Sequence, residues 1–400
     1  MAAPRILSSA FITLCSAFFF LLLSLGFSTL VPYYLQLRGA DELLYGLSAG
    51  MHGVGGVLAM LLFSGRADQL SRRTGVLLYG APAGVGALIM LVAVEAHPFW
   101  YLLALGLFGL MLGAALPLMF IWAADLSPPE RRTEAFAWFG IAGLIADSLG
   151  PFLGEALLLV EGPQPTPASF RLVYLAAALL LLPAAACLVL TPEGRSAVAG
   201  SDEVESAGVR RLWSSGPVRL TLLAAVTFGG ALGVMIGLGK NFVVSIGLTF
   251  VGPLLGGYTI GAIVVRVALP FVLSRFDRSR LPPLAFGGVT ASMLLLAAAG
   301  GYGLLLVAGV VYGVSHGLLF PTLLSRLVDY GGLPAAGRLS TLYLGMYCLG
   351  QGVIPAIGGV ILRLTSFQVL FLWMALVSLL GVVLTRRAEQ QHAALLAEPS

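Results

Sequence analysis

Five ionisable residues stand inside otherwise apolar runs of this 400-residue chain: His52, Asp147, Glu155, Arg266 and His316. Their types are those that carry protons or pair charges. A carboxylate takes up and releases a proton, an unperturbed imidazole titrates near pH 6.5, and a guanidinium stays charged and seeks carboxylates. A charge at mid-membrane depth costs about 2.5–3.5 kcal/mol on insertion scales, so such residues face protein or water and carry a role there. Asp147 lies near the middle of its run and shares a helical stripe with Gly140, Gly143, Gly150 and Gly154. Small residues on a stripe let a neighbouring helix approach closely.

Glu155 follows two turns later, near the far membrane boundary. It reads either as an entry point for a proton or cation, or as a carboxylate reaching headgroups. Lys240 and Asn241 close a later run on the same side, as a snorkelling anchor or as part of a substrate cavity. His52 and His316 sit next to glycines near mid-run and read as proton-coupling groups or as neutral hydrogen-bonding residues. Tyr343, Tyr347 and Gln351 recur at i, i+4 and i+8. That stripe offers aromatic faces and hydrogen bonds to a substrate, or packing between helices. No HxH or HxxxH spacing points to a metal site, and no cofactor is expected.

The elements positioning these groups follow from composition. Hydrophobic residues make up 58% of the chain and charged residues 10%, at a mean hydropathy of +0.97. A soluble domain of this size cannot cover its surface with so few charges. Repeated runs of about 20 apolar residues predict an all-α integral membrane protein. Net charge +4 does not suggest nucleic acid, because the basic residues are spread over short loops. Cys15, Cys187 and Cys348 lie in apolar runs without metal or disulfide spacing. Walker A, HExxH and GxSxG sequences are absent, so neither an enzyme nor an ATP-driven pump is expected.

Twelve spans are predicted. The first six cover about 9–34, 43–63, 74–94, 99–122, 135–160 and 171–190. The second six cover about 220–240, 248–273, 283–300, 302–327, 339–364 and 367–385. The first run has no clear cleavage site and reads as an uncleaved span. Residues 1–190 form one six-helix bundle, 191–216 a polar linker, and 217–400 a second bundle with a short tail. Of 22 basic residues, 17 fall on one side, 4 on the other and Arg266 within a span. The positive-inside rule places both termini and the linker in the cytoplasm of an inner (plasma) membrane. Trp100 and Trp122 end span four as belt residues. A weak repeat supports the halving: Ser64–Arg73 and Ser274–Arg280 each set an Asp, Asp68 or Asp277, among arginines in a turn.

On these features the chain resembles the major facilitator superfamily over nearly its whole length. Ser64–Arg73 resembles that family's loop 2–3 signature at Asp68, Arg72 and Arg73, with Ser64, Gln69 and Ser71 departing from it. Ala124–Arg132 resembles the following cytoplasmic loop of bacterial members. Leu149–Glu155 resembles the fifth-span antiporter motif at Gly150, Pro151 and Gly154, with Glu155 in place of its last glycine. Tyr258–Arg266 and Gly313–Leu324 resemble spans eight and ten of efflux-type, drug- or sugar-exporting permeases. Leu103–Leu118 lacks the span-four arginine of many proton-driven exporters, so coupling would fall to another group.

The resemblance implies two pseudo-symmetric six-helix bundles, alternating access, and spans three, six, nine and twelve as outer supports. Asp68, Arg72, Arg73 and Asp277 would form a cytoplasmic gate. Span five would pack on span eight, letting Asp147 pair with Arg266 either as a proton-sensitive switch or as a static ion pair. The expected function is secondary active, proton-coupled export of a small organic or amphiphilic solute by a monomer in the bilayer. An uptake symporter and a non-transporting sensor are the rivals.

Overall fold

A chain whose backbone must satisfy its own polar groups in lipid has only helices and closed barrels open to it, and this one forms helices. The computed structural model describes residues 8–63, 70–93, 95–128, 131–160, 162, 164–193, 212–332 and 335–397. The first set of helices is α1 Ser9–Ser28, α2 Val31–Leu37, α3 Glu42–Phe63, α4 Arg72–Val92, α5 Phe99–Asp125, α6 Arg132–Leu158 and α7 Phe170–Leu190. The second is α8 Gly216–Ser245, α9 Gly252–Arg275, α10 Leu281–Ala297, α11 Tyr302–Gly331, α12 Ala336–Leu364 and α13 Phe367–Ala397. Among the described residues, 11 helical stretches suffice by length and composition to cross a membrane, counting α1 and α2 as one, and α10 is a shorter apolar helix.

Two spans differ from the hydropathy reading. The predicted first span is interrupted at Thr29–Leu30. Pro32 lacks the N–H that would bond the Ser28 carbonyl, and its ring crowds that carbonyl, so the helix breaks there. The predicted twelfth span runs on to Ala397 as one helix. Its last turns are tied to α11, where Arg326 pairs with Glu389 and the Tyr330 and His392 rings lie 4.7 Å apart.

The chain divides into two compact units. One holds residues 1–200 with 250–252, and the other holds 201–249 with 253–400. The same pairing pattern recurs in both. In the first unit α1 packs on α6 and α7, α3 on α5, and α4 on α5 and α7. In the second unit α8 packs on α12 and α13, and α10 on α11 and α13, while glycine contacts bring α9 against α11.

Glycines make the closest of these contacts. A Cβ on Gly26 of α1 would come within 2.9 Å of the Gly150 Cα of α6. A Cβ on Gly109 of α5 would come within 2.8 Å of the Gly55 Cα of α3. In the second unit Gly229 and Gly350 play this part between α8 and α12, and Gly257, Gly261, Gly309 and Gly313 between α9 and α11. Prolines repeat likewise: Pro117 and Pro321 lie inside α5 and α11, Pro151 and Pro355 inside α6 and α12.

Candidate functional site

The glycine stripe beside Asp147 is filled by α1 of the same unit. Gly143 faces Phe18 and Leu22, Gly150 faces Gly26, and Gly154 faces Leu30 and Phe27. The stripe therefore gives no information about span eight. Asp147 is half-buried and makes no hydrogen bond or ion pair among the described residues. Its isolation follows from its neighbours: the α1 and α6 residues in this contact are glycine, leucine and phenylalanine.

His52 of α3 meets α1 at the helix break. Its Nε2 lies 2.9 Å from the Ser28 hydroxyl. That hydroxyl has one hydrogen, which it donates to the Leu25 carbonyl at 2.6 Å. The His52 Nε2–H must then be the donor to Ser28. A neutral His52 consequently keeps Nδ1 as an open acceptor.

Glu155 is buried, at 3% exposure, and both its oxygens accept the Val251 N–H, at 3.0 and 3.1 Å. Val251 belongs to the short segment that clusters with this unit. The carboxylate thus holds a backbone donor instead of reaching headgroups. Lys240 is likewise buried at 6% exposure and donates to the Thr249 carbonyl, and Asn241 is fully buried. Neither extends outward as an anchor.

The second unit gathers residues that looked separate in sequence. His316 of α11 has Nδ1 3.4 Å from the Tyr258 hydroxyl of α9 and Nε2 3.2 Å from the Tyr347 hydroxyl of α12. Tyr347 makes this hydrogen bond alone among the described residues. Tyr347 and Tyr258 thus engage both ring nitrogens, and in a neutral imidazole one of the two donates while the other accepts. Phe228 of α8 packs with ring centroids 5.0 Å from both His316 and Tyr347. Tyr312 stacks on His316 at 6.0 Å, and its buried hydroxyl has no partner among the described residues.

Arg266 lies in electrostatic reach of Tyr258, Tyr347 and His316 and makes no hydrogen bond or ion pair among the described residues. Tyr343 is buried and donates to the Phe320 carbonyl at 3.4 Å, as packing between α12 and α11. Gln351 is half-buried, and its backbone packs against Gly233. Sequence reading missed Tyr258 and Tyr312 as members of this cluster. The signal for Tyr312 was its place one turn before His316 on the same face.

The expected gate residues are engaged inside their own units. Asp68 lies outside the described residues. Arg72, at the start of α4, is buried and pairs with Asp125 at the end of α5, 3.3 Å apart. Arg73 donates to the Thr191 carbonyl at 2.7 Å, a cation at the C-terminal end of α7. Glu193 returns the favour at the start of α4 by accepting the Arg73 N–H at 3.1 Å. Burial raises the proton affinity of Glu193, but hydrogen bonds from Ser71 and the Arg73 N–H, with the Arg73 charge, outweigh it and hold the carboxyl below its usual range.

Trp122 is fully buried and donates its indole N–H to the Pro192 carbonyl at 3.0 Å. It is a tie to the start of the linker, not a lipid-facing belt residue, because its N–H finds a protein carbonyl. Trp100 is 44% exposed. Asp277 accepts the Ser279 N–H at 2.9 Å, and that bond holds its carboxyl below the usual range. It closes its own turn.

These ties predict a stability effect. Arg72→Ala leaves Asp125 without its partner and is expected to cost about 3 kcal/mol, the low end for breaking a buried pair, since Asp125 keeps some water. The paired change Arg72→Met with Asp125→Leu is expected to cost less. Thermal unfolding of the three proteins in detergent checks both. An Arg72→Ala protein as stable as wild type would remove the pair from the account.

The helical repeat and the embedded polar residues fit one family by sequence as well. A model of the Major Facilitator Superfamily matches residues 12–355. The chain belongs to this superfamily. It is a multi-pass membrane protein of a transporter family whose members bind small-molecule substrates.

An uncharacterized transporter of Buchnera aphidicola (subsp. Acyrthosiphon pisum) is 29% identical over 150 residues, covering 36% of this chain and 37% of that protein. The match thus spans little more than a third of the relative's length. Among solved structures, the Escherichia coli fucose:proton symporter FucP has a TM-score of 0.66 at 18% identity, over 94% of this chain and 98% of that one. The nucleoside transporter NupG has a TM-score of 0.72 at 16% identity, over 96% and 99%. A bacterial homologue of the human lysosomal transporter Spinster has 0.73 at 14% identity, over the full length of both. At such identities the likeness is one of fold.

Proposed function

We propose that this superfamily member is a secondary active transporter that couples proton movement to export of a small organic or amphiphilic solute by alternating access. It would sit in the inner (plasma) membrane with both termini in the cytoplasm. The observation that carries the proposal is the isolation of Asp147. A half-buried carboxylate in the middle of α6, with no hydrogen bond or ion pair among the described residues, is costly as pure structure and suited to a proton that comes and goes. The other candidates fit less well. Glu155 holds a backbone N–H, and His316 has both ring nitrogens engaged. His52, with an open Nδ1, is the second proton-coupling candidate.

Export is supported by the fifth-span resemblance at Gly150, Pro151 and Gly154. Arg72 and Arg73 serve the proposed gate by making the ends of α4, α5 and α7 move as one body. Uptake by symport is the second reading, favoured by the fold shared with a fucose:proton symporter.

The test is a reconstituted wild-type protein under an imposed pH gradient, with internal pH recorded while solutes are added from a chemically varied panel. Solute-evoked proton flux is expected, and its sign relative to solute movement separates antiport from symport. Solute binding without any evoked proton flux would sink the coupling.

A further inference from the structure

The second unit contains a charge that its own residues do not neutralise. Arg266 lies inside the apolar helix α9, about two turns, or roughly 12 Å, beyond Tyr258. A guanidinium does not shed its proton at working pH, so burial leaves it in need of an anion. The three acids described in this unit are occupied elsewhere. Asp277 closes its turn with Ser279, and Asp329 and Glu389 both pair with Arg326. Tyr258 and Tyr347 lie in electrostatic reach of Arg266, and groups suited to a ligand adjoin them: the Phe228 ring packs on Tyr347, and the Tyr312 ring lies 5.8 Å from Tyr258 with a fully buried hydroxyl that has no partner among the described residues. The Tyr347–His316–Tyr258 hydrogen bonds fix these rings in place and use up both histidine nitrogens.

We infer that the second unit carries a binding site for an organic anion, a carboxylate on an aromatic or apolar body, in which Arg266 takes the carboxylate and Tyr312 supplies a further donor. A planar carboxylate matches the two-pronged guanidinium. The aromatic walls suit an apolar body, which lies favourably in offset or edge contact with tyrosine rings. A cationic solute would meet Arg266 as a like charge. The inference rests on the transporter reading only in naming the bound anion as cargo. An inside-negative membrane potential drives such an anion outward and a proton inward, so both movements of the proposed exchange are electrically favoured.

The test uses the purified full chain and calorimetric titration with three matched probes: 2-naphthoate, 2-naphthamide and 2-naphthylmethylammonium. Wild-type protein is expected to bind naphthoate at least about tenfold tighter than the amide, the scale of one charge-assisted hydrogen bond. Arg266→Gln is expected to abolish that preference while retaining the amide, and Arg266→Lys to keep part of it. Tyr312→Phe is expected to weaken naphthoate about threefold or more while leaving the amide less affected. The Lys variant keeps the test valid if the Gln variant does not fold. Failure of wild type to bind naphthoate, equal naphthoate affinity in wild type and Arg266→Gln, or preference for the ammonium probe overturns the site. Because the titration uses no gradient, charge-selective binding without proton flux would sink the coupling alone. Proton flux with charge-blind binding would sink the anion site alone.

Discussion

In the Asp147→Asn protein, solute-evoked proton flux is expected to fall to that of protein-free liposomes. Asparagine keeps the size and hydrogen-bonding ends of the side chain but cannot change charge, so only the proton is removed from the cycle. The position tolerates the amide structurally, since Asp147 makes no hydrogen bond or ion pair among the described residues whose loss would unfold α6. Burial of an uncharged amide is also less costly than burial of a carboxylate. Solute exchange at equal pH on both sides, which needs no net proton movement, is expected to persist. Asp147→Glu, which restores a titratable group on a longer stem, is expected to recover part of the flux. The measurement is internal pH beside radiolabelled solute exchange in the same vesicles. Wild-type proton flux in the Asn protein would move the coupling to His52, the remaining candidate with an open nitrogen.

The place of Asp147 inside an apolar run was legible because hydropathy exposes any charge there, but its isolation was not: the family resemblance offered Arg266 as its partner, whereas neither residue makes an ion pair among the described residues, and α1 fills the glycines around Asp147. The cluster around His316 was half legible. Tyr343, Tyr347 and Gln351 announce themselves by helical spacing, but spacing along α12 does not say which ring meets a histidine on α11. The structure separates them: Tyr347 bonds His316, while Tyr343 packs on the Phe320 carbonyl. Tyr258 joins through a contact 58 residues away in sequence, and no local pattern encodes such a pairing.

The spans were legible for a physical reason: the bilayer demands long apolar helices, and composition records that demand. The break in the first span was not, since Leu30, Val31 and Leu35 continue the apolar run past Ser28 and no charged residue interrupts it before Arg38. Pro32 was the available sign, but prolines inside α4, α5, α6 and α7 leave those helices intact. The loop signature at Arg72 and Arg73 was recognised, yet its actual partners, Asp125 and the α7 terminus, lie 53 and 118 residues on. Charge counting treated those arginines as topology signals, and it had no means to see that they also join three helix ends.

Gly229→Leu is expected to be more damaging to folding than any of the polar substitutions above. A side chain there would begin inside the van der Waals radius of the Tyr347 carbonyl oxygen, a backbone atom in the middle of α12. Overpacking typically costs about 1–3 kcal/mol when side chains can shift. Here the obstacle is helical backbone, so a cost above about 3 kcal/mol is expected, with loss of monodisperse protein after extraction. Gly350→Leu meets the Val226 carbonyl from the opposite helix and is expected to behave alike. Gly287→Ala is the control: it sits in α10 with open space around it and is expected to be neutral or to stabilise by up to about 1 kcal/mol. Yield, elution profile and thermal midpoint of the three proteins test this, and a well-folded Gly229→Leu protein would show that α8 and α12 can separate cheaply. That result would matter for the site too, because Tyr347 belongs to the stretch of α12 that Gly229 of α8 approaches. Phe228 on α8 lies 5.0 Å from both the Tyr347 and His316 rings, so the helix that these glycines seat against α12 also carries the ring packed on both members of that hydrogen bond.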